Sequence, residues 1–224
     1  MKNLIKILFL FLFVFSCGEK KVTEEPLVKD ITYYENGQKE KEGKYENGKM
    51  TENWIYYYDN GQMKGRGLYY QGNGTELGSL GIPRHGRDGS WEFWYENGEK
   101  QDYVVYDKGM KDGKIKTWYE NGKIRGLGTY KDGQPYGKWT WYYENGSIRM
   151  KTTYKDDTPS ESIGYYENGK LLFKGLFHKG FVEKYSFTLE GSKNIGKWIY
   201  YNEDGSIREE EIYKDGELIE TKEY

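Results

Sequence analysis

The sequence predicts an all-β protein, an elongated antiparallel sheet of stacked β-hairpins, on three observations. The 224 residues include 30 Gly and not a single Ala, which removes the best helix former and roughly doubles the usual Gly share. Aromatic residues make up 18% of the chain, with 24 Tyr and 7 Trp, far too many for a disordered polymer. Acid-Asn-Gly or acid-Asp-Gly recurs, ending at Gly37, Gly61, Gly98, Gly122, Gly146, Gly169 and Gly205. Consecutive separations are 24, 37, 24, 24, 23 and 36, so one period of about 24 residues dominates, with two additions of about half a unit.

The chain opens with a leader. Residues 1–16 carry Lys2 and Lys6 and then the apolar run Ile7 to Phe15, the two regions of a secretory signal peptide. Nine residues at about 1.5 Å rise span ~14 Å, under half the ~30 Å hydrocarbon core, so a cleaved signal is expected over a membrane-spanning helix. Cys17 is the only cysteine and has no internal disulfide partner. Val14-Phe15-Ser16-Cys17 resembles the lipobox of bacterial lipoproteins, which implies cleavage after Ser16, a diacylglyceryl group on Cys17 and a tethered envelope protein held to a membrane by lipid. Residues 17–30, from the lipidated cysteine through the polar stretch Gly18 to Asp30, read as a flexible tether.

Charge narrows the partners. Lys plus Arg is 34 and Asp plus Glu is 36. Without Lys2 and Lys6 the balance is 32 against 36, a net charge near −4, which supplies no attraction for nucleic acid or for anionic lipid through a basic patch.

Residues 31–224 form the repeat domain of about seven units. Counted from each turn glycine, position −4 is Tyr33, Tyr57, Trp94, Trp118, Tyr142, Tyr165 and Tyr201, and position +8 is Tyr45, Tyr69, Tyr106, Tyr130, Tyr154, Phe177 and Tyr213. Position −3 is Tyr except at Asn202, and position −7 is Trp54, Trp91, Ile115, Trp139 and Trp198, with Ser162 the exception. Asn-Gly between β-rich runs predicts a type I′ hairpin turn, because both residues accept positive φ. A return turn is expected eleven residues on, at Gly48, Gly72, Gly109, Gly133, Gly180 and Gly216, with Asp157 in the remaining unit. Seven hairpins give about fourteen strands, which at ~4.8 Å per strand make a ribbon ~65 Å long. Alternation puts −7, −5 and −3 on one face and −4 on the other. No hairpin buries its own aromatic face, so stability must come from stacking on neighbours, and the rings at −4 and +8 that stay exposed are the expected contact surface: Tyr57, Trp94, Trp118, Tyr142, Tyr165 and Tyr201.

The stretch Tyr130-Lys-Asp-Gly133 with Gly137 and Trp139, followed by Tyr142-Tyr143-Glu-Asn-Gly146, resembles the bacterial variant of the MORN repeat, and the likeness covers about residues 31 to 220. It implies an open β-hairpin array used for protein or membrane contact, with an antitoxin-like label among bacterial members and no catalytic residue. The motif's second glycine is replaced by Glu52, Glu161 and Lys184, where irregular hairpins are expected.

Site chemistry adds little. The acids at −2, Glu35 to Glu203, stand about two strand spacings apart, too far to share a calcium ion, and read as solvated turn residues. Only His85 and His178 are present, without metal-ligand spacing, and no serine lies in a nucleophile context. No catalytic, metal or cofactor site is expected. The sequence points to a non-enzymatic protein-binding or scaffold lipoprotein whose partner is an envelope protein. Alternatives are a wall-polysaccharide module and an immunity protein for a neighbouring toxin. The two additions, Asn73 to Arg84 and Phe181 to Ile195, read either as tolerated irregular loops or as loops projecting towards a partner. The closing segment is expected to cap the open end of the sheet.

Overall fold

A computed structural model describes residues 27–155, 160–178 and 193–224. Its strands are β1 (Val28–Tyr33), β2 (Lys39–Glu46), β3 (Lys49–Tyr57), β4 (Met63–Gly72), β5 (Arg87–Trp94), β6 (Lys100–Asp107), β7 (Met110–Trp118), β8 (Ile124–Lys131), β9 (Gln134–Tyr142), β10 (Ile148–Tyr154), β11 (Ser160–Tyr165), β12 (Leu171–His178), β13 (Lys193–Tyr201), β14 (Ile207–Lys214) and β15 (Glu217–Glu223). They form a single antiparallel sheet in strict chain order, and no helix occurs among the described residues. The fifteenth strand, one more than expected, follows the last return turn at Asp215-Gly216. β1 starts at Val28, so the sheet takes in the last three residues assigned to the tether. Residues 1–16, Cys17, Asp157, Gly180, Lys184 and residues 181–192 of the second addition lie outside the described residues.

The two sets of turns reverse the predicted chemistry. At each of the seven corners that end at Gly37, Gly61, Gly98, Gly122, Gly146, Gly169 and Gly205 the glycine N–H donates back across three residues, as from Gly37 to Tyr34 O at 2.9 Å, while Tyr34 N–H donates to Gln38 O at 2.8 Å. Only the glycine has positive φ, +82° at Gly37. This is a three-residue loop, a type I turn closed by a left-handed glycine, and not the type I′ turn expected. The Asn side chain explains the preference differently: its Oδ1 accepts the N–H two residues on, as Asn36 does from Gln38 at 2.9 Å. The type I′ geometry belongs to the return turns, where both residues are left-handed: Asn47 and Gly48, Lys108 and Gly109, Asp132 and Gly133, Asp215 and Gly216. Gly72 is no turn; β4 runs through it and the chain turns only after it.

All large buried rings lie on one face, here called inner. Trp54, Trp91 and Phe177 are fully buried, and Tyr56, Phe93, Trp139, Trp141 and Trp198 nearly so. The space for each indole is a glycine on the adjacent strand. A Cβ on Gly43, Gly67, Gly128 or Gly175 would fall inside the indole of Trp54, Trp91, Trp139 or Trp198 respectively. These glycines sit at position +6, and the tryptophans at −7 of the following unit. Where +6 is Val104, the facing −7 is Ile115; where it is Thr152, the facing residue is Ser162, with Oγ1 and Oγ 3.1 Å apart. The two departures from tryptophan are therefore paired changes: Val104 with Ile115 comes close to the volume of glycine with tryptophan, as close packing requires, whereas the smaller Thr152 and Ser162 join their strands by a hydrogen bond. The indole N–H groups are satisfied by strand carbonyls, Trp139 by Thr129 O at 3.1 Å and Trp198 by Leu176 O at 2.8 Å.

The replaced motif glycines split in behaviour. Gly89, Gly137 and Gly196 have φ near +60° to +70°, and Glu52, standing in the same place, keeps φ at +57° beside an irregularity in the β3–β4 register. Glu161 instead pairs regularly with Thr153. One replacement retains a strained backbone and the other abandons it.

Candidate interaction surfaces

The six candidate contact residues line one row of the outer face. Tyr57, Trp94, Trp118, Tyr142, Tyr165 and Tyr201 are all half-buried, and long cationic side chains lie over five of them, from a neighbouring strand in four cases and from two residues back on the same strand at Trp118. Lys39 Nζ is 5.6 Å from the Tyr57 ring centre, Arg66 5.4 Å from Trp94, Lys116 4.9 Å from Trp118, Lys151 5.7 Å from Tyr165 and Lys174 5.9 Å from Tyr201. Alkyl stems shield the ring faces and leave charge outermost. The Tyr57 hydroxyl donates to Glu42 Oε1 at 2.7 Å, and that bond, with one from Lys39, holds the Glu42 carboxyl below its ordinary pKa. The row is thus a ladder of rings capped by cations, not the bare aromatic strip foreseen.

The +8 rings stand on the inner face and not in the outer row. Tyr69, Tyr106, Tyr154 and Phe177 are buried, and Tyr45, Tyr130 and Tyr213 pack against the same core. Burial pushes the Tyr69 hydroxyl up to about 12. These rings stand edge-on to the tryptophans, Tyr45 to Trp54 at 5.1 Å and Tyr130 to Trp139 at 5.1 Å between centres. The offset of +8 from the +6 position is even, so strand alternation places both on one face, a parity signal that was available in the sequence.

The −3 tyrosines carry a role the sequence did not disclose. Each hydroxyl donates to the backbone carbonyl of the −4 residue in the next unit: Tyr34 to Tyr57 O, Tyr58 to Trp94 O, Tyr95 to Trp118 O, Tyr119 to Tyr142 O, Tyr143 to Tyr165 O and Tyr166 to Tyr201 O, at 2.6 to 2.8 Å. Beside them the turn asparagines reach the next turn's −2 carbonyl, as Asn36 does to Asp59 O at 2.8 Å. The −2 carboxylates themselves are exposed. Asn202, where the Tyr series stops, opens the turn that ends at Gly205.

The first addition folds back instead of projecting. Residues 73–86 cross the inner face, joined by a bridge between Leu77 and Pro83, and Ile82 is only 1% exposed. A Cβ on Gly65 would lie 2.6 Å from Ile82 Cδ1. Arg87 ties the loop down, donating to Ile82 O at 2.8 Å, Pro83 O at 2.9 Å and Tyr106 Oη at 3.0 Å.

Beside that loop is a cavity of about 640 Å³, running over the inner side of β6 to β10. It exists because β6 and β7 depart from the ring-on-glycine rule in both inner rows. Val104 faces Ile115, and Asp102 faces Thr117, whereas the flanking junctions have Gly65 with Phe93 and Gly126 with Trp141. An extra residue on each hairpin, Gln101 and Arg125, brings a second polar side chain to the cavity. Burial raises the Asp102 carboxyl from 3.8 to about 6, against the opposing pull of Lys111 and Arg125. Gln101 Oε1 and Thr117 Oγ1 are buried without a hydrogen-bond partner. Among the described residues no three His, Cys, Asp or Glu side chains converge as a metal site would require.

Comparison with known families identifies the repeat. The MORN repeat variant matches seven times, over residues 31–47, 53–71, 87–108, 111–132, 135–156, 161–179 and 195–215, more than half of the chain. No curated protein matches the sequence.

Proposed function

Because the chain belongs to the MORN repeat variant family, whose repeats commonly serve as non-catalytic modules for protein or membrane contact, we propose that it is a non-enzymatic scaffold lipoprotein. In this reading it is anchored in a bacterial cell envelope by lipid on Cys17 and holds an envelope protein against the outer face of its sheet. The observation that carries the reading is the outer row, in which five rings at repeat spacing each carry a cation within 6 Å. Such a row offers a protein partner apolar area and positive charge together. Aromatic residues and arginine are the side chains that most often dominate protein interfaces. The anchor rests on the sequence alone: a short apolar leader ending at a lone cysteine, with two or more acyl chains needed for lasting attachment.

The test uses the full chain in detergent, immobilised and exposed to envelope proteins with chemical cross-linking. A protein retained by the wild type and lost from the Trp94→Ala, Trp118→Ala double variant, at unchanged folding, supports the reading. Equal retention by both proteins sinks the outer row as the contact. Separately, Cys17→Ser should move the protein out of the membrane fraction, and an unchanged fraction removes the anchor.

A further inference from the structure

Eight Asn-Gly pairs stand in the chain, and the fold treats them unequally. An asparagine followed by glycine can rearrange with no reagent but water: the glycine backbone nitrogen, once deprotonated, attacks the asparagine Cγ and expels the side-chain nitrogen. Nearness gives the attack its advantage, and the bare glycine leaves the nitrogen accessible. A backbone N–H held in a hydrogen bond must be released before it can lose its proton, which is why such groups resist hydrogen exchange. At six of the pairs it is held. Gly37, Gly61, Gly98, Gly122, Gly146 and Gly169 each donate to the carbonyl three residues back, at 2.9 to 3.0 Å.

Asn73-Gly74, where the first addition leaves β4, is arranged differently. Gly74 N–H donates to no acceptor among the described residues, both residues are exposed, and a Cβ on Gly74 would meet nothing within 4 Å. The nitrogen therefore stands open to solvent. Asn73 Oδ1 meanwhile accepts two hydrogen bonds from one residue, Thr75 N–H at 3.1 Å and Thr75 Oγ1 at 2.6 Å. These donors polarise Cγ towards attack and then face the oxygen on which negative charge collects in the tetrahedral intermediate, as an oxyanion hole does. The corner asparagines have only the backbone donor, as Asn36 has from Gln38. At Asn47-Gly48 the glycine N–H is also unbonded among the described residues, but no donor meets the Asn47 side chain, and the pair is confined to a two-residue loop between the partners Glu46 and Lys49.

We propose that Asn73 is a site of self-modification, with Gly74 N as nucleophile and Thr75 as the group that stabilises the developing charge. The bond from Gly74 N to Asn73 Cγ forms and the Cγ–Nδ2 bond breaks; the Gly74 proton passes to solvent, and Nδ2 takes a proton from solvent and leaves as ammonia. Water then opens the resulting succinimide. Cleavage at Cγ gives aspartate, and cleavage at the Asn73 main-chain carbonyl gives isoaspartate, whose backbone is one carbon longer. Either product puts a new carboxylate at the root of the loop that seats Ile82 on the inner face. This chemistry is independent of the outer row and of any partner bound there.

The full chain is incubated in detergent in a mildly alkaline buffer, digested and mapped by mass spectrometry, with electron-transfer fragmentation separating isoaspartate from aspartate. Asn73 is expected to convert at least about tenfold faster than any of the six corner asparagines, which serve as controls within the same sample. Thr75→Val should slow conversion by about tenfold or more, and Thr75→Ser, which restores the hydroxyl, should keep it near the wild-type rate. In urea the rates at Asn73 and the corners should draw together, because the hydrogen bonds that separate them are gone. Conversion at Asn73 no faster than at the corners overturns the proposal. So does a lead for Asn73 that persists in urea, and so does an unchanged rate in Thr75→Val or an equal loss in Thr75→Ser.

Discussion

The pairing of tryptophan with glycine across each unit junction makes a quantitative prediction at Gly128 and Trp139. A Cβ on Gly128 would collide with Cδ2 and Cε2 of the Trp139 indole, which is itself 3% exposed and bonded to Thr129 O. The obstacle is a ring wedged in the core and not the free end of a flexible chain, so Gly128→Val should cost about 3 kcal/mol, the upper part of the overpacking range. Trp139→Ile leaves unfilled space above Gly128 and frees Thr129 O, costing about 3 kcal/mol on its own. The double variant, Gly128→Val with Trp139→Ile, rebuilds the Val104–Ile115 pair already present one unit earlier. If junction volume is what the sequence conserves, the double variant recovers about 2 to 3 kcal/mol of the summed loss, within the coupling range of residues in contact. It does not recover everything, because isoleucine has no N–H for Thr129 O. Urea unfolding of the four proteins, followed by tryptophan fluorescence and far-ultraviolet dichroism, supplies the cycle. A coupling below about 0.5 kcal/mol refutes the reasoning and reduces the alternation to coincidence.

Three further outcomes are expected. Tyr119→Phe removes the latch to Tyr142 O while keeping the ring, and should lower stability by about 1 kcal/mol; no loss in urea midpoint means the carbonyl finds water at no cost. Glu52→Gly relieves a left-handed glutamate and should stabilise by about 1 kcal/mol, since the exposed Lys44–Glu52 ion pair that it sacrifices contributes little; a destabilised variant shows that the φ of +57° is not strained. Asp102 has its pKa raised from 3.8 to about 6, so the folded state retains a proton that the unfolded chain releases. Its ionisation therefore weakens the fold as pH rises from about 4 to 6, with the full penalty above that window. Asp102→Asn should raise the melting temperature at pH 8 and leave it nearly unchanged at pH 3.5, and equal shifts at both pH values contradict the assignment.

The repeat, its period and its antiparallel hairpins were legible because a ring recurring at a fixed offset from a turn glycine leaves few other arrangements. The inner face was half legible. Strand alternation set Trp54 and Tyr56 together, yet +8 was grouped with −4 as a contact position, although its even offset from the +6 glycine places it with the core. Ile115 counted with the tryptophans at −7 and Ser162 stood as the exception, and the partners of both, Val104 and Thr152, come into view only across the sheet. Four junctions pair glycine at +6 with tryptophan at the next −7, and in the other two both positions change together, so a comparison of the two positions could have found the pairing. The latch of Tyr119 on Tyr142 O could not be found that way, because it links a side chain to a backbone group whose type carries no sequence signal. The cavity was equally hidden: Asp102 and Thr117 are unremarkable in the chain and become a polar gap only beside Phe93 and Trp141.

The tetrapeptide Tyr-Glu-Asn-Gly marks the boundary between the two kinds of information. By itself it determines that the chain reverses, since Asn-Gly is poorly suited to a continuing strand and well suited to a turn. It does not determine how. At residues 34–37 it forms a three-residue loop with only Gly37 left-handed, and at residues 45–48 a two-residue loop with Asn47 and Gly48 both left-handed. The choice is made by register: Tyr33 must meet Lys39 in one place and Glu46 must meet Lys49 in the other. A slip of one residue would turn a strand's rings from the packed face to the solvent. Local sequence fixed the positions of the corners, and the burial of Trp54 and its neighbours across strands decided their geometry.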